Sequence, residues 1–132
     1  MNAVFQDLED DNNEKNGTRV SNERDFKLLL QSFGDRQPFS FWLSADNGIT
    51  LTIGWSATIG CVQYAASDGQ PPYWVTVGDS SADANEHVNF LAGGTQTPIP
   101  KRSCMPLERV VEVVRYFLET GERWPEVEWE EV

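Results

Sequence analysis

His87, Cys61 and Cys104 are the side chains best suited to nucleophilic or acid–base chemistry, and no other residue of either type occurs. Any Ser-His-Asp or Cys-His site would have to use His87. It alternates with Val88 and Phe90 beside Glu86, the period of a strand, so a solvent-facing structural histidine is the simpler expectation. Cys104 falls between Arg102 and a helix start, a setting that can lower a thiol pKa, but also one that a small buried filler commonly occupies. One histidine and two cysteines outside CxxC spacing cannot assemble a Cys/His zinc site. Neither the phosphate-loop nor the dinucleotide glycine pattern occurs; Gly93-Gly94 alone marks a loop. Asp7, Glu9, Asp10, Asp11 and Glu14 have the carboxylates for calcium, yet the loop glycine and terminal glutamate at the required spacing are missing. Glu128 and Glu130 lie two apart and share a strand face without a visible cleft. The expectation is a chain without catalysis, cofactor or metal.

What the chain carries instead is charge and aromatic surface. The net charge is −11, and five Trp, seven Phe and three Tyr form a heavy aromatic load. From Gln37 to Pro100 there is no Lys or Arg, whereas Asp46, Asp68, Asp79, Asp83 and Glu86 all fall there. Such a stretch cannot present a phosphate-binding face, so neither direct nucleic-acid binding nor attraction to an anionic membrane is expected; a basic partner is. No apolar run approaches the about 18 residues of a membrane span. The acidic start lacks the basic and apolar regions of a signal peptide, and the thiols are unpaired in sequence, which together imply a reducing cytoplasm.

The elements that would position these groups follow from periodicity. Residues 1–20 read as an acidic flexible segment, with room for a short strand at Ala3 to Phe5, and residues 21–132 as one domain. Ser21 or Asn22 can cap a first helix whose Phe26, Leu29, Leu30 and Phe33 share a face before Gly34. Phe39, Phe41 and Leu43 alternate with Ser40, Trp42 and Ser44. After Asp46-Asn47-Gly48 the alternation resumes at Ile49, Leu51, Ile53 and Trp55, which predicts a β-hairpin. Further strands are predicted from Ile59 to Ala65, Tyr73 to Val77 and Glu86 to Leu91. Pro106 starts a second helix with an apolar stripe through Leu107, Val110, Val111, Val114, Phe117 and Leu118, stopped by Gly121. In the tail, Val127 and Trp129 fall on one side of an extended segment and Glu126, Glu128 and Glu130 on the other. The predicted fold is α+β: an antiparallel sheet of about four to six strands with two helices packed on it.

The Gly-Gly-Thr loop, the Pro-x-Pro step into a helix, the ending FLETGERWPEVEWEEV and the preceding hairpin together resemble the first-numbered family of bacterial immunity proteins, part of polymorphic toxin systems. The resemblance is strongest over Tyr73 to Val132 and looser over Phe39 to Tyr64. The family's Trp-Glu pair maps onto Trp129 and Glu130, with Gly121 and Pro125 in matching order, and these four read as structural. The resemblance implies a small cytoplasmic protein that binds one cognate toxin domain, one-to-one, and neutralises it. Genes of this family often accompany nucleic-acid deaminase toxins, which use a zinc-activated water in a basic cleft. An acidic protein would be steered to such a cleft and would occlude it without chemistry. Candidate contacts are Asp68 and Asp79 in turns, Asp83 and Glu86 in the following loop, Glu126 and Glu128 in the tail, and Tyr73 or Trp74 as an aromatic anchor. The competing class is an acidic adaptor or nucleic-acid mimic that binds another basic protein.

Overall fold

The computed structural model describes all 132 residues. In chain order the elements are β1 (Ala3–Asp7), β2 (Arg19–Val20), α1 (Glu23–Gln31), β3 (Phe39–Ala45), β4 (Ile49–Trp55) and β5 (Ile59–Ala66). They continue with β6 (Trp74–Val77), β7 (His87–Ala92), β8 (Thr95–Pro100), β9 (Met105–Pro106), α2 (Leu107–Thr120) and β10 (Glu128–Glu131). The class is α+β, as expected, but the sheet has ten strands, more than four to six. The additional strands are those with little sequence signal. Two are only two residues long, and β8 carries Pro98 and Pro100 on an outer strand, where a missing N–H is tolerated.

The main strand order is β10-β6-β5-β4-β3-β1-β2, all antiparallel, with β9 pairing with β5 beside β6. Because β6 and β9 share one edge of β5, the ladder forks, and Thr76 fills the fork. Its buried hydroxyl accepts from the Val62 N–H at 3.1 Å and donates to the Ser103 carbonyl at 3.0 Å. The β7–β8 hairpin leaves the main order and folds across the second face of the sheet, where Phe90 packs with Cys61 and Cys104. Gly54 makes room for it: a Cβ there would stand 3.1 Å from the Phe90 ring.

Both helices lie on the first face. Asn22 caps α1 by accepting from the Asp25 N–H, and Gly121 closes α2 at φ 78°, the left-handed position predicted for it. The helices bury Phe26, Leu29, Val110, Val113, Val114, Phe117 and Leu118 against Phe5, Phe41, Leu43, Leu51, Ile53 and Val62 of the sheet. Each fully buried side chain of this kind stabilises the fold by about 1.5–3 kcal/mol relative to exposure. Residues 1–20, expected as a flexible segment, supply β1 and β2 and bury Ala3, Phe5, Asp7 and Val20. The short strand expected at Ala3 to Phe5 runs on to Asp7, whose carboxylate is buried and not part of a flexible acidic run. The buried Asp7 is held by Arg36, distant in sequence, at 2.6 Å.

Candidate binding face

One side of the sheet is filled by helices; the other is only half covered. The β7–β8 hairpin occupies the end bearing the row Ser40–Gly54–Cys61, and nothing packs on the rows beyond it. The next row crosses six strands in register: Gln6, Trp42, Thr52, Gln63, Val75 and Glu130 are cross-strand neighbours in that order. At the interstrand spacing of a sheet this row is roughly 24 Å wide. A second row runs Arg19, Val4, Ser44, Thr50 and Ala65. Val4 and Trp42, each 41% exposed, are two of the four large apolar side chains left open to solvent.

The electrostatics of this face follow from chain order. The base-free stretch from Gln37 to Pro100 builds β3 to β8, so all ten bases stand outside the central strands and the hairpin. Half of them are engaged in ion pairs: Arg36 with Asp7, Lys27 with Glu23, Lys101 with Glu86, Arg102 with Glu130, and Arg115 with Glu112 and Glu119. Arg19 at the β2 end is the one base on the open rows, opposite the carboxylates of β10.

The eight expected contact residues do not form one site. Asp68 and Tyr73 come together beside Trp42 at the open end of the face. Trp74, next in sequence, points to the helix side, where the Arg123 guanidinium stacks on its ring at 4.1 Å. Asp79, Asp83 and Glu86 lie beyond the Val77 end of β6, at the other end of the sheet, exposed. There Ser81 hydrogen bonds hold the Asp79 carboxyl below its ordinary pKa. Glu126 is exposed before β10, its carbonyl accepting from Arg109 at 3.0 Å, and Glu128 lies on the half-open side of the edge strand. Trp42 is the residue that sequence reasoning passed over. The signal was present in the hairpin alternation, which sets Trp42 opposite Phe39, Phe41 and Leu43.

The tail residues have structural partners. The Trp129 indole donates to the Trp124 carbonyl at 2.9 Å and its ring meets Tyr64 edge-on. Gly121 offers its carbonyl to the Tyr64 hydroxyl at 2.9 Å, and a Cβ on it would stand 2.6 Å from the Met1 side chain.

The residues suited to chemistry are not assembled. His87 is exposed, with Nδ1 3.1 Å from the Asn85 carbonyl, whereas Cys104 is buried with Cys61 and Phe90. The hydrogen bond with Cys104, together with burial, pushes the Cys61 thiol well above its ordinary pKa. Substituting His87 with alanine is therefore expected to change stability by less than about 0.5 kcal/mol. Urea unfolding of the two proteins side by side checks this. No group of three or more His, Cys, Asp or Glu side chains is placed to hold a metal ion, and no helix is long and apolar enough to cross a membrane.

A family described as Immunity protein Imm1 matches residues 7–131, nearly the whole chain. The chain belongs to that immunity protein family. The match begins at Asp7, so the acidic loop after β1 falls within it. An immunity protein has a toxin for a partner. No curated protein matches this immunity protein.

Proposed function

We propose that this immunity protein acts in the cytoplasm, binding its cognate toxin one-to-one and occluding the toxin's basic active-site cleft. A nucleic-acid deaminase is the toxin class we favour. The observation that carries this reading is the segregation of charge. The strands between Gln37 and Pro100 carry no Asp, Glu, Lys or Arg, the turns and loops that join them carry Asp46, Asp68, Asp79, Asp83 and Glu86 and no base, and one end of their sheet face is open. A cleft built to hold nucleic acid is electropositive, so a face of this kind is steered toward it and competes with phosphate for the same side chains. Aromatic side chains supply the affinity, and the surrounding carboxylates supply encounter rate and discrimination. On this reading Trp42 and Tyr73 are anchors, with Asp68 and Glu128 among the steering groups. Asp79, Asp83, Glu86 and Glu126 contribute from the margins, and Trp74 contributes through its helix-side packing.

Stopped-flow association with the purified toxin domain tests the steering. The on-rate should fall by roughly tenfold or more between low and high salt, since exposed charges are screened over about 8 Å at physiological ionic strength. An on-rate indifferent to salt would sink the electrostatic mechanism. Occlusion is tested separately: a toxin saturated with the immunity protein should no longer bind its nucleic acid, and unaltered binding would refute it.

A further inference from the structure

The open end of the sheet face contains a shallow depression of about 330 Å³ whose chemistry is specific. Resting on the toxin-binding reading above, we propose that this depression is the socket for one arginine side chain of the partner. Two aromatic residues, Trp42 and Tyr73, line it, and the carboxylate of Asp68 stands at its rim. The floor is made by Thr52 and Gln63, cross-strand neighbours of Trp42 in the same row.

The acceptors are held ready and left unfilled. Asp68 accepts from the Gln70 N–H through Oδ1 at 2.9 Å, and Oδ2 has no partner. The Gln63 amide and the Thr52 hydroxyl line the depression and make no hydrogen bond within the chain. Tyr73 is fixed by donating its hydroxyl proton to the Gly69 carbonyl. Beside them Thr50 donates to Ser44 at 3.0 Å and lies 2.7 Å from the Ser67 hydroxyl, tying β3, β4 and the β5–β6 loop into one rigid wall. The lining contains one acid and no base, so a cation is the ligand that charge selects.

Guanidinium fits this arrangement better than ammonium. Its planar fork carries five donors that can reach a carboxylate and flanking amide or hydroxyl acceptors together, while its face stacks on an indole or phenol ring. An ammonium group would use the carboxylate as a point charge and leave the spread acceptors unfilled. The partner is therefore a basic protein surface presenting an exposed arginine.

Titrating the full-length protein with Nα-acetyl-arginine amide, followed by NMR, tests the socket without requiring the toxin. Saturable shifts are expected at the Trp42 indole N–H and at the amides of Thr52, Gln63 and Asp68. D68N should weaken that binding roughly tenfold, the loss of one charge-assisted hydrogen bond. W42A should weaken it roughly threefold, the share of an exposed cation–π contact. Trp42 and Asp68 are exposed, so both variants should keep wild-type circular dichroism. An equal response to the acetyl-lysine or acetyl-citrulline analogue would overturn the assignment, as would shifts scattered over the surface. The same variants should lose affinity for a toxin domain that the wild-type protein neutralises. Unchanged affinity would overturn the socket while leaving the immunity reading intact, and a wild-type protein that binds no toxin would defeat only that reading. Self-association of the wild type that W42A and D68N abolish would also overturn it, by showing a second copy in the socket.

Discussion

Replacing Asp7 with alanine should destabilise the protein by about 3–5 kcal/mol, the range expected when one partner of a buried ion pair is removed. Asp7 is fully buried at the inward end of β1. Its Oδ1 accepts from the Glu9 and Asp10 N–H groups at 2.9 and 3.0 Å, and Oδ2 from Asn13 at 2.8 Å and Arg36 at 2.6 Å. Burial by itself would raise this carboxyl's pKa. The hydrogen bonds from Arg36, Asn13 and the two backbone N–H groups outweigh it and hold the pKa below the ordinary value. The alanine variant removes them all at once, and with them the closure of the loop that returns the chain to β2. Replacing Arg36 with methionine should also be strongly destabilising, because it leaves the Asp7 carboxylate buried without its counter-charge.

The sign of the pH dependence follows. A carboxyl whose folded pKa lies below its unfolded value of about 3.9 contributes stability that is fully present above that value and is lost as pH falls through the folded pKa. The stability gap between the wild type and D7A should therefore be widest near neutrality and should narrow below about pH 4. Urea unfolding of both proteins at several pH values measures it. A gap that stays constant from neutrality to pH 3 would show that packing and not the charge of Asp7 is responsible.

The second large effect is expected at Gly78, where alanine should cost about 3 kcal/mol, the upper end for overpacking. A Cβ at this position would lie 1.9 Å from the Cys104 carbonyl oxygen and 2.6 Å from its carbon. The obstacle is backbone and cannot rotate away. That backbone is pinned in turn: the Gly78 and Asp79 N–H groups donate to the Arg102 carbonyl at 2.8 and 3.0 Å, and Thr76 donates to Ser103. To admit a methyl group, the segment leading into β9 and α2 must move away from β6, opening the fork that Thr76 fills. Gly93, whose added Cβ would meet only a backbone oxygen at 4.0 Å, gives the comparison. G93A carries only the strain of its positive φ and should cost about 1 kcal/mol. Chemical denaturation of the two variants separates steric from conformational cost, and equal losses would sink the steric account.

Much of the fold was legible along the chain. The two helices, their caps, the β3–β4 hairpin and the runs that became β5, β6 and β7 are local patterns, written in periods of 3.6 and 2. What was not legible depends on partners remote in sequence. β1 was legible as a short strand at Ala3 to Phe5 but not in its continuation to Asp7, because the charge that neutralises Asp7 is on Arg36. β8 and β9 are strands whose pairing is imposed by a neighbouring edge and not by their own alternation, and the alternating tail gave its extended form but not its pairing with β6. Of the residues lining the depression on the open face, Asp68 and Tyr73 stand out in the sequence as an acidic turn and an aromatic beside it, whereas Trp42 reads there only as part of a hairpin.

The sequence by itself determined the class of the fold, the absence of bases from the middle strands and membership of the immunity protein family, because composition and periodicity survive without three-dimensional context. Only the tertiary structure decided which acids share a surface. Cross-strand register brings Trp42, Thr52 and Gln63 into one row beside Asp68, while the β7–β8 hairpin and the twist of the chain through β6 carry Asp79, Asp83 and Glu86 to the opposite end. Register is set by pairings between distant segments, so residues that look equivalent as acidic loop positions in one dimension are separated to opposite ends of the sheet in three.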